Sequence, residues 1–176
     1  MTRLELACNR VIGWDLAVCE RFNRASRQRP VCLLFASVSR LGDGVFWYGL
    51  MLFLLAWDRG AAVQPVLHMA VTGALCTLLY TGLKRLTSRP RPCHTHAQIL
   101  RGGRQLDQFS FPSGHTLHAV VFSVVASAYY PTLGWLLMPF TLLVALSRLV
   151  LGLHYPTDVL AGAALGAGVA DLSFLL

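Results

Sequence analysis

An all-α, polytopic membrane bundle is the fold class this sequence predicts, on two observations. Of its 176 residues 55% are hydrophobic and only 13% charged, with a mean hydropathy of +0.56, the balance of a chain surrounded by lipid. Apolar runs at 65–83, 133–150 and 157–176 are each long enough to cross a bilayer, and runs at 45–57 and 116–130 cross if extended into their flanks or if the bilayer thins. The expectation is about five spanning helices.

The elements follow in chain order. Residues 1–40 are an N-terminal segment in which Leu4, Ala7, Val11, Trp14, Val18 and Phe22 recur at helical spacing, with Arg3, Arg10, Arg21 and Arg24 among them. That pattern reads as an amphipathic helix on the membrane surface, or equally as a packing helix with solvated charges. It lacks the uninterrupted apolar core and small-residue site of a cleavable signal peptide. The loops between the runs are too short for a separate soluble domain, so residues 1–176 are read as one membrane-embedded domain with its chemistry in 84–158. Cys8, Cys19, Cys32, Cys76 and Cys93 have no CxxC spacing, which argues against a disulfide framework and a zinc ribbon.

The net charge is +7, which suits lipid head groups as well as nucleic acid. Threading the spans alternately across the bilayer puts fourteen of the fifteen Lys and Arg residues on one face, with only Arg59 on the other. The positive-inside rule would make that face cytoplasmic. Asp and Glu are too sparse to pair most of these cations, so the basic residues read alternatively as ligands of an external anion.

Three short motifs lie at the basic ends of different spans: "KRLTSRPRP" from Lys84, "PSGH" from Pro112 and "SRLVLGLHYPTD" from Ser147. A charge kept at mid-membrane costs about 2.5–3.5 kcal/mol on insertion scales, so Lys84, Arg91, Arg148, His115, His154 and Asp158 at similar depth define a candidate site. Their types point to phosphate. Lys84 is a compact cation, while Arg91 and Arg148 are planar forks that match phosphate oxygens in pairs. Ser113 is a good helix N-cap, and the amides after it, beginning at Gly114, face any anion docked there. His115 and His154 exchange protons near neutral pH. Asp158, four residues after His154, is placed to orient its ring.

These residues carry a resemblance. Lys84 with Arg91-Pro92, Pro112-Ser113-Gly114-His115, and Ser147-Arg148 with His154 and Asp158 match, in order and spacing, the three signature motifs of the type 2 phosphatidic acid phosphatase family. The resemblance covers 84–158, under half the chain. It implies a lipid phosphatase that uses no metal or other cofactor: His154 as nucleophile forming a phosphohistidine, Asp158 positioning it, His115 as acid and then base, and Lys84, Arg91, Ser113, Gly114 and Arg148 holding phosphoryl oxygens. It also implies a lipid phosphate or diphosphate as partner rather than nucleic acid, and a site facing the periplasm of a bacterial inner membrane, against the positive-inside count. In build the chain most resembles small bacterial undecaprenyl-diphosphate phosphatases. Phosphatidic acid and phosphatidylglycerophosphate are the alternative substrates, and a phosphate-lipid binding or transport protein is the alternative from another class.

Other polar residues are weaker candidates. Cys93, His94 and His96 form a short "CHTH" loop that could meet a metal. His118 lies one turn after His115, Asp107 and Arg104 border the loop as head-group contacts, and His68 lies inside a span. Gly162, Gly166 and Gly168 are read as helix-packing positions.

Overall fold

The computed structural model describes residues 3–105 and 107–175. The side chains of Leu4, Ala7, Arg3 and Cys8, and Leu176 at the end of the last run, lie outside the described residues. The helices are α1 (Arg3–Asn23), α2 (Arg29–Arg40), α3 (Phe46–Asp58), α4 (Val63–Thr87), the single turn α5 (Pro92–Thr95), α6 (Gly114–Tyr129), α7 (Gly134–Val150) and α8 (Pro156–Ser173). No β-strand occurs among the described residues; Pro90 and Phe109 form an isolated bridge.

The N-terminal segment holds two helices with different fates. In α1 the apolar residues Val11, Ile12, Trp14 and Phe22 are exposed, while Asp15, Cys19 and Asn23, each one turn apart, are buried. The helix therefore docks through its polar face and leaves its apolar face to a membrane surface. Helix α2, with Pro30 in its first turn, runs on through a π turn at Leu41–Val45 into α3, so the short apolar run at 45–57 gains length from its N-terminal flank. The join is "LGDGV". Gly44 has φ 127°, a conformation that L side chains avoid, and a Cβ on Gly42 would meet Val144 of α7 at 3.0 Å. The two glycines let the helix unwind locally against α7, and the residue between them, Asp43, is turned toward the interior.

Helix α6 is central, packed on α4, α7 and α8, with Leu117, Val121 and Val125 fully buried. Its 16 residues rise about 24 Å, less than a hydrocarbon core, and protein rather than lipid surrounds it. Gly162 and Gly166 of α8 allow the tightest approach, since an added Cβ would lie 2.5 Å from the carbonyl oxygens of Ser113 and Leu117 respectively. Gly168 faces open space instead, because it has rotated off the packed side of α8. The outer faces of the bundle are apolar: Trp135 is 88% and Trp57 76% exposed, which suits hydrocarbon as the surrounding solvent.

Candidate functional site

The three motifs meet at one end of the bundle because each closes or opens a helix there. Lys84 lies in the last turns of α4, Arg91 directly precedes α5, and Ser113 is the N-cap of α6, its hydroxyl accepting from the Thr116 amide. Arg148 sits in the last turn of α7, His154 in the following turn and Asp158 in the first turn of α8. Lys84, Arg91, Ser113, Arg148, His154 and Asp158 are all buried. Of the eight predicted residues, Lys84, Arg91, Gly114, His115 and His154 line one cavity of about 410 Å³, whereas Ser113, Arg148 and Asp158 are not among its lining residues.

The geometry around His154 defines its tautomer. Arg91 Nη1 is 3.0 Å from His154 Nε2, and a guanidinium can only donate, so Nε2 is the acceptor and the ring proton belongs on Nδ1. Nδ1 lies 3.7 Å from Asp158 Oδ2 and has no hydrogen-bond partner among the described residues. Asp158 is thus near the ring but not bonded to it; Oδ2 accepts the Tyr155 amide at 2.8 Å, closing a capping box, and Oδ1 accepts Arg89 Nη1 at 2.7 Å. Burial first, then the charges of Arg91, Arg148 and Lys84, hold the His154 imidazole well below its ordinary pKa. The ring is neutral at neutral pH, with the Nε2 lone pair turned to the cations.

Two carboxylates missed or underweighted in the sequence complete the site. Asp107, the sole acid between Lys84 and Gly114, takes Lys84 Nζ at 2.7 Å and Arg91 Nη2 at 2.8 Å. Burial would raise its pKa, but the hydrogen bond and charge of Lys84 and the charge of Arg91 outweigh that and lower it. Asp43 contacts His115 Nε2 through Oδ1; its only sequence signal was an acid between two glycines at the mouth of an apolar run. A third acid, Asp15 of α1, accepts Arg89 Nη2 at 2.7 Å and the Thr157 amide at 2.9 Å. Arg89 thereby ties the N-terminal helix to Asp158, its guanidinium 4.1 Å from the Tyr155 ring centroid.

Arg148 donates to the Ser39 hydroxyl, and its Nε has no partner among the described residues. A buried guanidinium with an unused N–H is prepared for an acceptor. His118 lines the cavity, with Nδ1 2.9 Å from the Gly114 carbonyl oxygen and Nε2 near Gly73 O and the Thr77 hydroxyl. His68 bonds Tyr129 and Ser173 at the opposite end of α6, away from the site. Of the "CHTH" loop, His96 packs edge-on against Tyr155, Cys93 is half-buried, and Arg104 stays exposed. Away from its polar end the cavity continues between α3, α4 and α6 along Trp47, Met51, Ala70 and Phe122. A charged head with an apolar tail fits this shape.

These features define a class: helical membrane proteins with a cationic, histidine-flanked pocket at one end of the bundle. The chain belongs to the PAP2 superfamily, whose model matches residues 62–176. It is 31% identical over 126 residues to the undecaprenyl-diphosphatase BcrC of Bacillus subtilis, an alignment covering 70% of this chain and 65% of that protein; the match spans less than two thirds of that relative. The fold is similar to that of the transmembrane PAP2-type phosphatidylglycerolphosphate phosphatase from Bacillus subtilis, with TM-score 0.76 and 26% identity over 94% of this chain and 85% of the other. It is also similar to Aquifex aeolicus LpxE, with TM-score 0.79 and 25% identity over 92% and 94% of the two chains.

Proposed function

We propose that this protein is an integral membrane lipid phosphatase that forms a phosphohistidine, acting as one domain over residues 1–176. The observation that carries this reading is the cavity itself: its polar end gathers Lys84, Arg91, His115 and His154, and its other end is apolar. Lys84, Arg91 and Arg148, with the Ser113 hydroxyl and the Gly114 amide, hold the phosphoryl oxygens in the transition state. His154 Nε2 attacks phosphorus, and the Asp158 carboxylate, 3.7 Å from Nδ1 on the opposite side of the ring, balances the positive charge that develops there. The bond from phosphorus to the leaving oxygen breaks, its electron pair goes to that oxygen, and His115 supplies the proton. His115 then takes a proton from water, whose oxygen displaces His154 and releases inorganic phosphate. No step calls for a metal or other cofactor.

The favoured substrate is undecaprenyl diphosphate, supported by the likeness to the Bacillus subtilis undecaprenyl-diphosphatase; the leaving group is then the lipid monophosphate. Phosphatidylglycerophosphate and phosphatidic acid stand second, the former supported by the likeness in fold. The site is read as facing the periplasm from a bacterial inner membrane: four of the fourteen cations on the basic face, Lys84, Arg89, Arg91 and Arg148, are engaged at or beside the site, so they are read as reporting on substrate rather than on topology. Purified protein in detergent and EDTA, assayed for phosphate release from the three lipids, is expected to turn over and to prefer undecaprenyl diphosphate. Silence on all three would leave a binding or transport protein as the better reading.

Asp107 bears on the same pocket. Its carboxylate sits on two cations that a phosphoryl group would use, so an incoming anion must displace it. Asp107→Asn is expected to tighten binding of inorganic phosphate about tenfold or more, since a hydrogen bond to a charged group is worth about 1.5–3 kcal/mol. Calorimetry on the detergent-solubilised protein measures it; unchanged affinity would mean that Asp107 stays in place beside the anion.

A further inference from the structure

We infer that Asp43 is a positioning residue for His115, so that the pocket holds a second carboxylate–histidine pair on the leaving-group side. This rests on the proposed phosphatase reading. The contact joins residues 72 positions apart in the chain, and the backbone is shaped to make it: Asp43 lies in the π turn, between Gly42 packed on α7 and Gly44 with its positive φ. Both partners line the cavity.

The chemistry follows from the atoms. An ionised carboxylate only accepts, so His115 Nε2 carries a proton toward Asp43 Oδ1, and Nδ1, which makes no hydrogen bond among the described residues, is the nitrogen left to exchange protons with the substrate. To act as an acid His115 must be doubly protonated, and its surroundings oppose that. Arg148 from α7, Arg91 from the loop before α5, and His154 from the α7–α8 turn all face it with positive or competing groups. Arg40, one turn before Asp43, adds another positive charge to the pair's surroundings. Asp43 is the carboxylate in contact, and it supplies the negative charge that a protonated ring beside those cations requires. The leaving oxygen takes the Nδ1 proton as its bond to phosphorus breaks. In the second half, water returns a proton to Nδ1 as its oxygen attacks the phosphohistidine, and Asp43 again balances the imidazolium.

The test exploits how much the leaving group needs an acid. Short-chain phosphatidic acid leaves as an alkoxide and needs the proton, whereas p-nitrophenyl phosphate leaves as a stable phenolate and barely does. Asp43→Asn, nearly the same shape without the charge, is expected to lose about 10²-fold or more in kcat on phosphatidic acid and less than about tenfold on p-nitrophenyl phosphate. The sign of the pH effect is defined: His115 works protonated, so the rate falls as pH rises through its titration. Removing Asp43 moves that alkaline limb to lower pH, by about one unit or more. Asp43→Glu, which keeps the charge, should bring the limb back toward the wild type. It also serves as the second variant if the asparagine protein does not remain monodisperse in detergent. Wild-type turnover abolished by His154→Ala is the control; without it the proposed function falls, and this role with it. With the control in place, equal losses on both substrates or an unmoved limb overturn the role of Asp43 and leave the phosphatase standing.

Discussion

His154→Ala is expected to abolish phosphate release, by at least about 10⁴-fold, while leaving binding of inorganic phosphate within a few-fold of wild type. The separation follows from the site. Lys84 and Arg148 do not contact the imidazole ring, and Arg91 keeps its hydrogen bonds to Asp107 and the Leu153 carbonyl when the ring is gone, so the cationic pocket survives the truncation. What disappears is the Nε2 lone pair that faces Arg91. Wild-type protein quenched during turnover of a labelled lipid phosphate should carry acid-labile, base-stable label, the behaviour of a phosphoramidate, and His154→Ala should carry none. The pH profile adds a sign. Because burial and the neighbouring cations push His154 down from its ordinary value, the ring stays unprotonated in acid that would silence an exposed histidine, and the acid limb of kcat lies below the usual histidine range. Equal labelling in the variant would move the nucleophile elsewhere; turnover without any label would argue for direct attack by water.

How much of this was legible in the sequence depends on what kind of signal each residue sends. Charged and titratable residues in an apolar chain are conspicuous, so the candidate residues from Lys84 to Asp158 could be picked out, and the structure brings five of the eight to the lining of one cavity. The carboxylates that serve the site were not legible in the same way. Asp43 reads as a turn residue between glycines, and its partner is 72 positions away. Asp15 sits on a helix whose apolar stripe drew attention, although the face that docks is the opposite one, with Asp15, Cys19 and Asn23. Hydropathy also breaks at Arg40, which ended the N-terminal segment in the sequence reading, while the backbone runs on from α2 through the π turn into α3. Apolar content reports on surroundings; it does not report on where a helix is continuous.

Asp158→Asn is expected to lower kcat by about 10²–10⁴-fold, as loss of the carboxylate behind a catalytic histidine does, again with phosphate affinity little changed. The oxygens of Asp158 face three groups: Arg89 Nη1, the Tyr155 amide and the His154 Nδ1 side of the ring. The amide of an asparagine has one acceptor and one donor end. If the donor end faces Arg89, two sets of N–H groups collide and the tie to α1 is lost. If it faces His154, Nδ1 must accept, the ring proton shifts to Nε2, and the attacking lone pair is gone. Either orientation disables the step, but by different routes, and Asp15→Asn separates them. That change weakens the hold of α1 on Arg89 while leaving Asp158 itself charged, so it is expected to reduce kcat far less than Asp158→Asn and to lower thermal stability in detergent. A loss in Asp15→Asn as large as in Asp158→Asn would mean that the Arg89 tie, rather than the charge behind His154, governs the nucleophile. Stability unchanged in Asp15→Asn would mean that the Asp15–Arg89 ion pair does not hold α1 in place.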